Sequence, residues 1–395
     1  MEEIEKRWIA FQLLCALRDC HARGVHHGDI KAENVLVTSW NWIYLSDFAP
    51  FKPTYLPADN PADFSYFFDT SGRRICYIAP ERFLDASQQR EGARVTDEMD
   101  IFSLGCVIAE LFLEGTPLFN LSQLFKYRSG EYDPTPYLAK IEDRGIRGLV
   151  QHMISLDPSR RYSAEKYLSE WRRRAFPEYF YSFLHQYIGF VTDPTFGRGQ
   201  ADVETDFYGR ADDRIDRIYH DFDKISFFLG FEPNQDEGTN IPSEDVIPVH
   251  LDIPNYQRHS SAVRRRHVSS DDGALIFLSL VASSIRNTSR TGPRVRACDV
   301  MLAFAERITD EAKMDRCLPY LVSLLGDESV IVQVTVIRTI TQLVRSVYPL
   351  HDCVPLLTPL AYRWNSWRLH PPPIHIFSPT IYCPSFRSLR PARAR

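Results

Sequence analysis

Apolar residues recur with a helical period at the start of the chain: Ile4, Trp8, Phe11 and Cys15 share one stripe, with Ala10, Leu14 and Leu17 beside it. Residues 3–22 are therefore expected to form an amphipathic helix, stopped by Gly24. Two short β-type runs follow, 35–37 (Val-Leu-Val) and 43–45 (Ile-Tyr-Leu), around a turn at 38–42, which is the pattern of a hairpin. Residues 50–78 are rich in Pro, Asp and aromatics and show no period, so they predict a long functional or disordered loop. Residues 101–113 are apolar nearly all round, apart from Ser103 and Glu110, and read as a fully buried helix that Gly115 and Pro117 stop. Two more helices are expected over 146–157 and 163–175, joined by the Asp-Pro-Ser-Arg-Arg run at 157–161.

The pattern changes after residue 185. Residues 186–270 are acidic, then bear Pro and Asn, with one helical patch at 213–228, and read as a linker. Arg264, Arg265 and Arg266 lie among serines there, as a solvated charge cluster or as a phosphosite or anion contact. Helical apolar runs then return at 275–285, 295–308, 317–325 and 330–347, broken by Thr291-Gly292-Pro293, Asp310 and Gly326-Asp327-Glu328. Residues 295–308 align with 330–343 at a spacing of about 35, which is helical-hairpin repeat behaviour, most like HEAT repeats; an ordinary small helical domain is the alternative. Fewer than the roughly three repeats of a self-sufficient array are present, so an apolar face at 352–360 is expected to need a partner. From Tyr362 onward the chain has a triple proline at 371–373 and arginines without a single acid, and is predicted to be disordered. The expected organisation is thus 1–185, a linker at 186–270, repeats at 271–361 and a basic, Pro-rich tail at 362–395.

Composition narrows the function classes. A 44% hydrophobic and 25% charged chain is ordinary for a globular protein, and a net charge of −5 gives no global signal for nucleic-acid binding. The eight cysteines include no Cys-x-x-Cys, which favours reduced thiols in a cytosolic compartment over a disulfide or zinc framework. The most apolar runs, 101–113 and 274–285, fall short of the ~20 residues that span a bilayer. With a Met-Glu-Glu start, neither signal peptide nor myristoylation is expected, so any membrane contact is expected to come only through partners.

The chemistry concentrates in His27-Gly-Asp-Ile-Lys-Ala-Glu-Asn34, between the first helix and the hairpin, and in Asp47 after the return strand. Two carboxylates and an amide so placed can orient a hydroxyl and hold Mg²⁺ against a polyphosphate. His26 and His27 read as packing or hydrogen-bonding residues, since no third metal ligand is nearby.

The series His27-Gly28-Asp29-Ile30-Lys31-x-x-Asn34, Asp47-Phe48-Ala49, Ala79-Pro80-Glu81, Asp100-x-x-Ser103-Leu104-Gly105 and Asp157-Pro158-x-x-Arg161 resembles the C-terminal lobe of a eukaryotic-type protein kinase over roughly residues 1–175. It is most similar to the vacuolar protein sorting 15-type serine/threonine kinases, the phosphoinositide 3-kinase regulatory subunit 4 family. The segments beginning at Phe176 and Tyr219 look like that family too. The resemblance implies a mainly α fold, a kinase-like C-terminal lobe with a short β hairpin followed by an α-solenoid of HEAT-like repeats. It implies that Asp29 accepts the substrate hydroxyl proton, Lys31 neutralises the transferred phosphate, and Asn34 and Asp47 ligate Mg²⁺ with ATP. Glu81 and Arg161 would brace the lobe as an ion pair, and Asp100 would cap backbone groups of the catalytic loop.

The implied function is a kinase-like regulatory subunit of the class III phosphatidylinositol 3-kinase complex in autophagy and endosomal sorting. Its partners would be the catalytic subunit of that complex and its autophagy or endosomal cofactors, and it would be cytoplasmic and recruited to those membranes through the complex. Two residues depart from the usual kinase pattern. Gly28 stands where an arginine usually clamps a phosphorylated activation loop, and Ala49 stands for glycine. The glycine-rich loop, strand lysine and helix glutamate of a kinase belong ahead of residue 3, and no Gly-x-Gly-x-x-Gly occurs in the chain. An N-terminally shortened form, with one wall of the adenine pocket, is therefore the expectation. A non-catalytic scaffold is the reading from another class, and a small-molecule phosphotransferase of the aminoglycoside or choline kinase type is a remote third.

Overall fold

The first helix, α1 (Glu3–His21), is packed on every side instead of presenting one wet face. Its stripe is buried as expected, with Ile4 and Trp8 at 0% exposure, but Leu13, on the opposite face, is equally buried. A computed structural model describes residues 1–85, 94–193, 209–229, 253 and 273–347, and it shows why. Helices before and after α1 in space leave it no solvent side, so its polar residues find protein partners. Gln12 donates to Trp8 O at 3.2 Å and Asn41 O at 2.8 Å, and accepts from Ile43 N. Glu5, 1% exposed, accepts from Asn41 Nδ2 and Arg316 Nη2, both at 2.9 Å.

The hairpin is as the alternation predicts: β1 (Val35–Val37) and β2 (Ile43–Leu45) are antiparallel with Val35 opposite Leu45. The aperiodic stretch after it is ordered. It holds β3 (Leu56–Pro57) and α2 (Pro61–Phe67), and β3 pairs in parallel with β4 (Phe83–Leu84), beyond its end, through Leu56 opposite Phe83. The signal for α2 is Asn60-Pro61: the Asn60 side chain accepts from Ala62 N, and proline fits a first turn whose N–H has no partner anyway.

The buried helix is α3 (Asp97–Phe112), and Gly105 lets it approach α6, since a Cβ there would lie 2.8 Å from Met153 Cβ. Between them lie α4 (Leu121–Ser129) and α5 (Thr135–Leu138), and α6 spans Arg144–Met153. Periodicity missed α4, whose start is written as a capping box, Asn120 Oδ1 accepting from Gln123 N at 2.8 Å and Gln123 Oε1 from Asn120 N at 2.9 Å. Asn120→Ala is expected to cost about 1 kcal/mol, read as a lowered urea midpoint; an unchanged midpoint would remove the cap's role. The lobe continues with α7 (Ala164–Glu170) and α8 (His185–Thr192). Helix α7 stops short of the expected end at 175 because Arg173 takes a left-handed φ of +63°.

Part of the expected linker packs on the repeats. Helices α9 (Gly209–His220) and α10 (Phe222–Phe228) lie against α11 (Ala274–Ile285) and α12 (Thr291–Ala305). Asp212, fully buried, accepts from Ser289 Oγ at 2.5 Å and Ser289 N at 3.1 Å, and the Phe222 and Phe304 rings stand 5.3 Å apart. The repeats close with α13 (Asp310–Arg316), α14 (Leu318–Ser323) and α15 (Val330–Val347). Thr291-Gly292-Pro293, expected to separate helices, begins α12, because proline in a first turn deprives no carbonyl of its donor. One compact unit runs from Met1 to Leu343, and the second begins at Val344. The arginines at 264–266, the apolar face at 352–360 and the tail from 362 lie outside the described residues.

Candidate active site

The loop between α1 and β1 is shaped by a residue far along the chain. Asp100, in the first turn of α3 and 1% exposed, accepts from His27 N at 2.8 Å and Gly28 N at 2.9 Å. Gly28 takes φ +77°, a left-handed geometry that favours glycine, and a Cβ there would come 3.2 Å from Val95 Cγ2. Burial pulls the His27 pKa down, favouring a neutral ring. One neutral tautomer satisfies both ring contacts: Nε2–H donates to Ser46 O at 2.9 Å, and Nδ1 accepts from Asp29 N at 3.3 Å. His27 also stacks on Phe48, with centroids 4.4 Å apart. It is a packing residue, and His26 is engaged through Nε2 with Asp97 Oδ1 at 2.9 Å. Among the described residues no group of three or more His, Cys, Asp or Glu is placed to hold a metal ion.

These contacts present Asp29, which is 4% exposed. Asn34 Nδ2 donates to the Asp29 carbonyl at 2.8 Å and reaches its Oδ2 at 3.4 Å, so the amide nitrogen is committed to Asp29. Its Oδ1 accepts no hydrogen bond among the described residues and is left available as an oxygen ligand. Ser46 closes the hairpin onto the same residue, donating from both N (2.9 Å) and Oγ (3.2 Å) to Asn34 O. Asp47, next in the chain, is exposed and holds a left-handed φ of +57°. Its carboxylate makes no hydrogen bond or ion pair among the described residues. A free carboxylate and an uncommitted amide oxygen are ligand types that fit a hard, octahedral cation taking its other ligands from phosphate and water.

Lys31 stands 3.2 Å from Asp29 Oδ2, where the resemblance placed a charge-neutralising lysine. A second ammonium was missed: Lys52 Nζ lies 2.7 Å from the same oxygen. Lys52 comes from an aperiodic stretch, and no spacing rule ties it to Asp29.

Below the site lies an arginine–glutamate pair. Arg161, its side chain fully buried, forms a two-pronged pair with Glu81 at 2.6 and 3.0 Å. Arg82, which follows Glu81 in the chain, went unremarked in the sequence and is 1% exposed. It donates to Gly28 O and Thr54 O, both at 2.7 Å, and to Pro53 O at 3.0 Å.

A loop acid with an amide locked to it, a hairpin that delivers a second acid alongside, and an arginine–glutamate brace together form the substrate-side lobe of a protein kinase. Residues 1–171 match the protein kinase domain family, and residues 277–353 match the family described as PIK3R4-like, middle domain. The putative serine/threonine-protein kinase VPS15 of Komagataella pastoris is 48% identical over 351 residues, covering 87% of this chain and 25% of that protein. The VPS15 kinase of Saccharomyces cerevisiae is 39% identical over 382 residues (89% and 26%), and that of Arabidopsis thaliana 37% over 385 residues (85% and 26%). The chain belongs to the VPS15 family of serine/threonine-protein kinases. It spans about a quarter of the length of these relatives.

Proposed function

We propose that this chain is the substrate-side kinase lobe and first helical repeats of a VPS15-type regulatory serine/threonine kinase. It would act with the catalytic subunit of the class III phosphatidylinositol 3-kinase in autophagy and endosomal sorting. The observation that carries the catalytic half of this reading is the lock between Asn34 and Asp29 beside the hairpin that brings in Asp47. Asp29 is the proton acceptor for a serine or threonine hydroxyl. Lys31 faces the charge that develops on the transferred phosphoryl group. Asn34 Oδ1 and the Asp47 carboxylate would hold Mg²⁺, which when bound neutralises the phosphates of ATP. HEAT-like packing of α11–α15 supplies the docking side. Among the described residues no helix is long and apolar enough to cross a membrane. Recruitment from the cytoplasm to endosomal or autophagic membranes would run through the complex.

A second reading is a scaffold that keeps the lobe and repeats but transfers no phosphate. Thermal shift with MgATP separates the two. A kinase site raises the melting temperature with saturating MgATP, by RT ln(1 + [L]/Kd), and Asp47→Ala abolishes the rise. An identical response from wild type and Asp47→Ala, or none from either, leaves the scaffold. Co-purification with the class III catalytic subunit tests the partner assignment, and failure to co-purify removes it.

A further inference from the structure

In a protein kinase of the usual pattern, the arginine beside the catalytic aspartate grips a phosphorylated side chain and so orders the segment that follows the metal-binding acid. Here that position is Gly28, yet the segment is docked. Ala49 N donates to His27 O at 2.9 Å, and Lys52 reaches Asp29. The centre of this docking is Arg82, brought to the catalytic loop by the β3–β4 pairing. Its three nitrogens bond three backbone carbonyls, one on the catalytic loop (Gly28) and two on the docked segment (Pro53, Thr54). The Phe68 ring lies 5.0 Å from its guanidinium and 5.1 Å from Lys52 Nζ, so one ring supports both cations. Burial pulls the Arg82 pKa down from its ordinary value, and the acidic groups around the guanidinium, Asp100, Asp29 and Glu81, oppose that shift.

We propose that Arg82 is a positioning residue that holds the segment from Ala49 to Tyr55 on the catalytic loop constitutively, without a phosphorylated side chain. The proposal deepens the kinase-lobe reading and rests on it. Carbonyl acceptors are present in every copy of the chain, whereas a phosphate must be added. The hydroxyls farther along argue the same way. Ser65, Tyr66, Thr70 and Ser71 are exposed, and Ser71 Oγ stands 3.4 Å from the carboxylate of Glu33, where a phosphate would meet like charge. Arg73, which bonds that same Glu33 at 3.0 Å, also bonds Glu110 at 2.8 Å.

Amide hydrogen exchange of the whole chain tests this. Treatment with a protein phosphatase, verified by intact mass, is expected to leave protection over residues 49–58 unchanged. Arg82→Lys keeps the charge but loses the planar fork, and is expected to raise exchange over 49–58 at least tenfold while α11 and α12 keep theirs. Should Arg82→Lys open α11 and α12 as well, Phe68→Leu is measured in its place, with the same local rise expected. Opening of 49–58 by phosphatase alone, or full protection there in the substituted protein, overturns the proposal. No arm uses nucleotide, so such a failure is distinct from a failure of the MgATP titration.

Discussion

Replacing Arg161 with alanine is expected to lower the unfolding free energy of the kinase lobe by about 3–5 kcal/mol, the usual cost of leaving one member of a buried ion pair alone. The guanidinium is fully buried and satisfied from four sides. It pairs with both oxygens of Glu81, donates to Ser155 O at 2.7 Å and Glu98 O at 2.9 Å, and lies 5.0 Å from the Phe102 ring. It thus ties the turn at Pro80–Arg82 to the start of α3 and to the chain after α6. Truncation strands the carbonyls of Ser155, Glu98 and Leu156 and a carboxylate, and leaves a void beside Phe102. Glu81 retains 22% exposure and can take up some water, which holds the loss near the lower part of that range. Arg161→Lys restores the charge but cannot meet both carboxylate oxygens, so it should fall between the alanine variant and wild type. Urea unfolding followed by tryptophan fluorescence, with Trp8 and Trp171 in the lobe, reads the loss. An alanine variant within about 1 kcal/mol of wild type would place the pair among exposed bridges of little worth.

The sequence exposed parts of this site unevenly, for physical reasons. The hairpin was legible because β1 and β2 alternate about a turn, and α3 because an apolar run with no polar face has to be buried. Asp29, Lys31, Asn34 and Asp47 were legible as a spaced set that resembles a known lobe, and Asp100, Glu81 and Arg161 came with it. The second ammonium at Asp29 was not. Lys52 sits between aromatics and prolines, and its contact exists only because Arg82, Phe68 and the two-residue β3–β4 pairing fold that stretch back over the loop. Periodicity reports which face of an element is dry and is silent on a loop held by side-chain-to-carbonyl bonds. The same limit applies to Glu5. Its capping-box contact with Glu2 N at 2.9 Å is local and readable, whereas its bonds to Asn41 and Arg316 arise from packing α1 between the hairpin and the repeats. Helices α2 and α4 carried their signals in caps, at Asn60-Pro61 and Asn120, where a search for apolar stripes does not look.

Asp100→Asn is expected to loosen the catalytic loop although it exchanges only an oxygen for an amide nitrogen. Both carboxylate oxygens are in use: Oδ2 accepts from His27 N and Oδ1 from Gly28 N, the peptide preceding Asp29. An amide has one acceptor oxygen, so whichever way the substituted side chain turned, its NH₂ group would confront a backbone N–H. Hydrogen bonds to a charged acceptor contribute about 1.5–3 kcal/mol each, and an unsatisfied buried donor adds a penalty. A local loss of about 2–4 kcal/mol would raise amide exchange at His27 and Gly28 roughly 30- to 1000-fold, at ~1.4 kcal/mol per decade. Asp97→Asn is the contrasting case. Asp97 is 40% exposed and meets the rings of His21 and His26, with no backbone donor of the loop on its carboxylate. Its exchange pattern at His27 and Gly28 should stay near that of wild type. Gly28 N donates to no other acceptor among the described residues, so the left-handed turn ahead of Asp29 rests on this carboxylate and on Arg82 at the Gly28 carbonyl. Equal protection at Gly28 in Asp100→Asn and wild type would mean that Arg82, through the Gly28 carbonyl, holds the loop by itself.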